Sequence, residues 1–326
     1  MNLRLYDNDL NTLIYEKEYP EYYFVNNDSI QECFIQLKDF IGNGYFREIF
    51  FEGVHIGFGD ARLAEKIRLG FESDYETIEM HFALKGKNTA FPETFERDIC
   101  FEAHNHNIIY ANGMSGKMEW ENGPFSIFEV NLAPSFFKRF LPDNHQLFDS
   151  FRNAIEKGNS GLLHQQHRPI SHKMYKLIDE MMSCERTGIF KRMFLESKVL
   201  ELLLLQFEQF SDKSFSNSTL KKSDVDKIYA VREFILKNLD AACSLIDLAH
   251  LVGTNDFILK KGFKEVFGTT VFGFWSDAKM EQAKQLLTEQ NMNVGEVSLQ
   301  IGYKNQRHFS AAFKKKYGFL PSQLKK

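Results

Sequence analysis

The sequence predicts an α+β chain, in which a β-rich N-terminal half backed by helices precedes an all-α module of two helix-turn-helix units. Three observations carry this prediction. Short β-branched and aromatic runs, broken by glycine and asparagine, fill residues 20–130. The texture turns helical after Pro134. One pattern then occurs twice near the C-terminus, as IDLAHLVGTNDFILKKGFK over residues 246–264 and EVSLQIGYKNQRHFSAAFK over 296–314.

Taken in order, residues 77–84 set Ile78, Met80, Phe82 and Leu84 against Thr77, Glu79, His81 and Ala83, the period of a half-buried antiparallel strand. REIFFEGVHIGFGD, HNIIYANG and FSIFEVNL supply further strands, and so many at short spacing predict a small barrel or sandwich. Gly53, Gly57 and Gly59 do not form a dinucleotide-binding fingerprint and are expected at turns or bulges. Helices are predicted over 135–141, 146–157, 170–185 and 189–210. The last carries a broad apolar face of Leu195, Val199, Leu202, Leu203 and Phe207. That face suits either packing on its own β domain or a dimer interface. The serine-rich stretch SDKSFSNSTLKKS is a joint. A helix over 225–239, with Ile228, Val231, Ile235 and Leu239 inward, opens the second module.

Charge separates the two parts. The net charge is −4, yet from Lys221 onward there are 17 Lys and Arg against 11 Asp and Glu, leaving 23 against 33 before it. This favours nucleic-acid contact by the C-terminal module and disfavours it for the rest. Cys33, Cys100, Cys184 and Cys243 lack CxxC spacing, as expected of reduced thiols in a cytoplasm. No signal region opens the chain, and no apolar run approaches the roughly 18 residues of a membrane span. A cytoplasmic protein without membrane contact is expected.

A helix-turn-helix holds its second helix proud of the surface by burying that helix's inner face on the first. Leu245, Leu248, Ala249 and Val252 supply the supporting face of the first copy, and Phe257, Ile258 and Phe263 its anchors. Val294, Val297, Ile301, Phe309 and Phe313 take these parts in the second, with Ala249 and Ser298 in the small slot where the helices cross. At these residues the chain resembles the AraC/XylS family of bacterial transcription regulators over 224–326. The resemblance includes the joining helix WSDAKMEQAKQLLTEQ with Ala283, Leu286 and Leu287. It also includes Gly302-Tyr303, Phe309, Phe313-Lys314, Gly318 and Pro321, which fall where the family has Gly-Phe, Phe, Phe-Lys, Gly and Pro. Lys279 and Lys325 stand where most members have arginine, keeping charge but losing a bidentate fork.

The resemblance implies a cupin-like effector-sensing domain at 1–140, a helical dimerisation or packing segment at 141–212, a linker at 213–223 and a DNA-binding domain at 224–326. It implies double-stranded DNA, RNA polymerase, a second copy of the chain and a small-molecule effector as partners. Residue by residue, it places Phe257, Lys260, Lys261, Gln306, Arg307, Ser310 and Ala311 at base-facing positions. Arg307 is the candidate for guanine and Gln306 for adenine. Lys264, Asn305, Lys314 and Lys315 are candidates for phosphate. Around ETIEMHFALKG and HNIIYANG the N-terminal half is also similar to siderophore-responsive regulators, which suggests an effector class while sugars, aromatics and lipids remain open.

A pocket with an apolar body and polar edges is expected from His81, Arg97, His104, Asn105, Tyr110 and Trp120. His104 and His106 form an HxH, but no carboxylate follows at the spacing a cupin metal site needs, so no metal, cofactor or catalytic residue is assigned. An effector-responsive activator is the leading expectation. An effector-independent architectural or partner-binding protein, and a cupin-type metal enzyme fused to a DNA-binding tail, are the alternatives.

Overall fold

Residues 1–326 are described by a computed structural model, apart from 8–11, 20–29, 38–42, 96, 213–221, 268, 290–291 and 325–326. The joint expected at 213–223 lies outside the described residues as far as 221, as do Gly268 and Lys325. The chain divides into two compact units, Met1–Phe215 and Ser216–Lys326.

Unit 1 is built on β-branched and aromatic strands that pair antiparallel in one sheet. β1 (Asn2–Tyr6), β2 (Leu13–Glu18), β3 (Gln31–Leu37), β4 (Asn43–Phe51) and β5 (Val54–Leu63) lead into the 19-residue β6 (Ile67–Lys85). β7 (Lys87–Pro92), β8 (Ile99–Glu102), β9 (Asn105–Trp120) and β10 (Gly123–Leu132) follow. The order is β3-β4-β5-β10-β6-β9-β7-β8, with β1 bonded to both β2 and β6. Two two-residue strands, β11 (Gly161–Leu162) and β12 (Arg168–Pro169), pair with β9.

The register sorts side chains into rows. Ile49, Ile56, Val130, Met80 and Ile108 lie opposite one another across β4, β5, β10, β6 and β9 and are at most 1% exposed. The adjacent row, on the other face, is Glu48, Gly57, Glu129, His81 and Asn107. The expectation of a half-buried strand over 77–84 is therefore corrected. His81, at 5% exposed, is as well covered as Leu84 at 9%, because the polar row lines the inside of a curled sheet instead of meeting bulk water.

The apolar row is roofed by α1 (Pro134–Lys138), α2 (Gln146–Glu156), α3 (His172–Met182) and α4 (Gly188–Ser211). α4 is the strut. Its Leu195, Val199, Leu202, Leu203 and Phe207 are at most 6% exposed, and Phe207 packs edge-on to Phe137 and Phe148. Of the two roles open to these five residues, packing within the chain and a dimer face, the structure gives them the first: they are buried in the chain's own core. Phe190 and Met193 are the large apolar side chains that α4 leaves most exposed.

Unit 2 contains α5 (Lys222–Lys237), α6 (Leu245–Leu251), α7 (Asp256–Phe267), α8 (Val271–Glu289), α9 (Val294–Gln300) and α10 (Gln306–Tyr317), closed by a 3-10 turn at Pro321–Leu324. The mixed α+β class expected from the sequence is the one observed. Among the described residues no helix is long and apolar enough to cross a membrane.

Two predictions follow from the roof of unit 1. Leu202→Ala is expected to cost roughly 2–5 kcal/mol in urea unfolding, whereas Leu204→Ala, 54% exposed, should change it by less than about 0.5 kcal/mol. His106 is fully buried, with Nδ1 accepting from Gln206 and Nε2 donating to Gln209, and burial pushes its pKa down to about 3. Protons then bind the unfolded chain first. Its contribution is complete above the ordinary histidine pKa of about 6.5 and is lost as the pH falls from there toward 3. Unfolding midpoints measured across that range should drop, and His106→Gln should flatten the drop.

Candidate DNA interface and ligand cavity

The duplicated pattern of unit 2 is duplicated in its hydrogen bonds. Ser244 caps α6 by accepting from Asp247 N at 3.2 Å, while the Asp247 carboxylate accepts from Ser244 N at 2.8 Å. Asn293 and Glu296 repeat this reciprocal box at the start of α9, both bonds 2.9 Å. The second helices are capped by asparagine, with Asn255 accepting from Ile258 N and Asn305 from Arg307 N, each at 2.8 Å. The supporting helices are offset by 49 residues (Ser244 to Asn293) and the second helices by 50 (Asn255 to Asn305), so the second turn is one residue longer. Both turns use a left-handed glycine, Gly253 at φ +67° and Gly302 at φ +79°.

Packing fixes which side of α7 and α10 faces out. Leu259 and Phe263 of α7, and Phe309 and Phe313 of α10, are fully buried, while Ala249 and Ser298 sit at 1% exposure in the crossing slot. Phe257 is 71% exposed and is not the anchor expected of it; Leu259, two residues on, is. Lys260, Lys261 and Lys264 of α7 are exposed, as are Gln306, Arg307, Ala311, Lys314 and Lys315 of α10, with Ser310 half-buried. Among the described residues no acidic side chain pairs with Lys260, Lys264, Arg307, Lys314 or Lys315. Lys316, next in the same run, reaches Asp277 and Glu281 of α8 at 3.0 and 3.2 Å and so serves the fold. Asn305 has its side-chain oxygen committed to the cap of α10. Lys304, which no repeat position singles out, is also exposed, in the longer turn.

α8 belongs to both halves of unit 2. Phe274 meets Phe263 and Phe267 of the first half, and Trp275 donates to Leu239 O at 2.9 Å. Met280, Ala283, Leu286 and Leu287 join Val297, Ile301, Phe309 and Phe313 of the second. Lys279 lies between them, its ammonium 5.6 Å from the Trp275 ring and 5.5 Å from that of Tyr303, and burial lowers its pKa. Its cation–π contacts tie the second turn to α8.

In unit 1 a cavity of about 440 Å³ opens inside the curled sheet, walled by Tyr15, Phe46, Trp120 and Phe125 and reached by Glu48 and Glu129. Glu48 is 1% exposed, accepts from Lys17, and lies 3.2 Å from the Tyr19 hydroxyl and 3.3 Å from His55 Nε2. Burial alone would raise its carboxyl; hydrogen bonds and charge from His55 and Lys17 outweigh that and hold it below the ordinary range. Burial, reinforced by the charges of Glu79 and Glu48, pushes the Glu129 carboxyl well up.

The family described as regulatory protein PchR, N-terminal domain, matches residues 42–220, more than half of the chain, and a helix-turn-helix domain family matches 248–326. The chain belongs to the PchR regulatory-protein family. Among curated relatives, the regulatory protein PchR of Pseudomonas aeruginosa is 33% identical over 128 residues, 39% of this chain and 43% of that protein. The bifunctional transcriptional activator and DNA repair enzyme AdaA of Bacillus subtilis is 26% identical, covering 32% of this chain and 50% of that one. The chain thus spans half or less of the length of these relatives. The regulator ExsA of P. aeruginosa is 22% identical over 69% of this chain and 76% of its own. Among solved structures, the C-terminal domain of the response regulator AraT from Geobacillus stearothermophilus is 26% identical, covering 33% of this chain and 86% of that chain with a TM-score of 0.30. With superposition that loose, the fold rests on the chain's own elements.

In this PchR-family chain the six residues expected to form an effector pocket do not converge. Trp120 lines the cavity. His104, at φ +68°, lies 2.6 Å from the Tyr175 hydroxyl; Tyr110 donates to Glu76 at 2.6 Å beneath α2; and Arg97 donates to Gln165 O at 2.8 Å. Asn105 pairs with Ala83 at the start of β9, and the His81 ring packs tilted against Phe101 with centroids 4.0 Å apart. Face and register, invisible in a residue list, separate them. The signal that could have found the cavity is Glu129, a carboxylate in the middle of the apolar run FSIFEVNL.

The exposed cations generate a contrast. Lys314→Ala or Lys315→Ala is expected to weaken binding to any duplex and to lower the slope of log affinity against log salt by about one. Lys316→Ala should leave that slope unchanged in the same titrations.

Proposed function

We propose that the chain is a sequence-specific, effector-responsive DNA-binding transcription regulator acting as a homodimeric activator in the bacterial cytoplasm, and that it is not an enzyme. One observation carries this reading: two capped helices, α7 and α10, are anchored by buried Leu259, Phe263, Phe309 and Phe313 while presenting Lys260, Lys264, Arg307, Lys314 and Lys315, with which no acidic side chain pairs among the described residues. Such helices suit the major groove. α8, 19 residues long, extends roughly 28 Å at about 1.5 Å per residue, and this supports its use as the spacer between two groove contacts about one helical turn apart.

Phe257, Lys260 and Lys261 from α7, with Gln306, Arg307, Ser310 and Ala311 from α10, read base edges in this proposal. Lys264, Lys314 and Lys315 hold phosphate, with Asn305 beside them. The cavity of unit 1 receives the effector, a small organic molecule for which the N-terminal resemblance favours a siderophore. An effector that binds one arrangement of the chain better than another shifts their populations by that difference, and RNA polymerase recruitment follows. The relatives named as regulators support this reading over a catalytic one.

The test is selection of genomic DNA fragments by the full-length chain at near-physiological salt. A shared motif with two contacts about one turn apart is expected, and Arg307→Ala should relax one position of it by about 1–3 kcal/mol. Fragments bound without any motif would overturn the proposal in favour of an architectural protein.

A further inference from the structure

A second chemistry lies on the polar inner face of the unit 1 sheet, where β6 pairs with β10. Glu79 and His81 are alternate residues of β6, and Glu129 is the partner of His81 on β10. One ring nitrogen of His81 and one carboxylate oxygen from each glutamate all lie within 4.8 Å of one another. His81 Nδ1 is 2.6 Å from Oε1 of Glu79. The residue is 5% exposed, and among the described residues its Nε2 has no hydrogen-bond partner. No donor or cation is paired with Glu129 among them either. A buried polar atom is normally satisfied, so the orphaned Nε2 of His81, in a cluster with a half-buried carboxyl that has no donor among the described residues, points to a missing partner.

The local sequence is shaped around that carboxylate. A Cβ at Gly57, opposite Glu129 in the row, would lie 2.8 Å from Oε1 and 3.1 Å from Cγ of Glu129, so a larger residue there would make the glutamate shift. Glu48, the next carboxylate along, already has Lys17 and His55 as partners. Glu79 meets His81 Nδ1, which leaves Glu129 as the carboxyl of this group without a partner among the described residues.

We infer that Glu79, His81 and Glu129 bind a first-row divalent cation of the Zn(II), Mn(II) or Fe(II) kind. One imidazole with two carboxylates is a donor set these ions accept, whereas Ca(II) and Mg(II) prefer oxygen alone. Three protein donors do not complete the coordination of such an ion, so water or a cavity ligand supplies the rest. The ion joins β6 to β10 at the cavity wall and relieves the repulsion between the glutamates. This site differs from the HxH of His104 and His106, which points at α3 and α4. It does not depend on the proposed regulatory role.

The experiment uses the full chain, stripped with chelator, dialysed, and titrated with Zn(II), Mn(II) or Mg(II) by calorimetry and thermal unfolding. One Zn(II) or Mn(II) per chain is expected to bind and raise the unfolding temperature, with Mg(II) much weaker. Glu79→Gln and Glu129→Gln should each weaken binding at least about tenfold. Metal-free Glu129→Gln should unfold no lower than the parent, because glutamine keeps the side chain's size and breaks no hydrogen bond or ion pair among the described residues, which separates loss of the site from loss of the fold. Binding by both glutamine variants as tightly as by the parent would place the ion elsewhere and overturn the inference, as would failure of the parent to saturate with either Zn(II) or Mn(II).

Discussion

The burial of α8 in two cores is the constraint on which the C-terminal unit depends. Phe274 and Trp275 commit one end of this helix to α7 and to Leu239 just beyond α5, and Ala283, Leu286 and Leu287 commit the other to α9 and α10. Neither helix-turn-helix alone holds enough apolar surface to stand, because α6 and α9 are seven residues each. Each becomes stable by packing on a helix it shares. The same packing makes the two exposed faces a single rigid object, so a contact made by α7 fixes where α10 can reach. Lys279, between Trp275 and Tyr303, stiffens that junction. Arginine could stack there with its plane, and lysine does it with a point charge, so the substitution relative to most relatives is one of geometry more than of sign.

Unit 1 solves a different problem. A sheet that curls on itself has an inner face too small for two layers of large apolar side chains, and this one fills part of that face with a row of polar groups. Glu48 is tolerable there because Lys17, His55 and Tyr19 surround it, whereas leaving it unpaired would cost several kcal/mol. Gly57 and Gly59 are part of the same arrangement, since a Cβ at 59 would lie 2.7 Å from the Phe46 ring. They were legible in the sequence as glycines needing an explanation, and bulges were the natural one. Their actual reason is the size of what lies opposite, which no local pattern records.

What was legible follows the same line. The helix-turn-helix pattern could be read because its spacing, caps and buried positions are all local: Leu248 and Val297, Phe263 and Phe313 repeat along the chain and are buried in space. Phe257 shows where this ends, since a helix phenylalanine beside a polar turn faces core or solvent by a rotation of one residue. α4 shows it again. An apolar face as broad as Leu195 to Phe207 announces burial but not against what, and the sheet, assembled from distant segments, claimed it. The effector residues were scattered for a similar reason, because His81 and Tyr110 differ in strand parity and so stand on opposite faces of one sheet.

The one-residue difference between the two turns has a consequence for recognition. A supporting helix and its second helix are joined by Gly253-Thr254 in one copy and by Gly302-Tyr303-Lys304 in the other, yet both end on an asparagine cap. The extra residue lets Tyr303 fold back onto Phe309, at 5.8 Å, while Lys304 stays exposed. The second turn thereby gains both an apolar anchor and a cation beside the start of α10. Arg307 is then held on a better-braced helix end than Phe257 is. In the proposed reading Arg307 makes a bidentate base contact, which needs its guanidinium placed accurately, whereas the apolar contact proposed for Phe257 tolerates slack, so the longer turn suits the copy that carries the arginine.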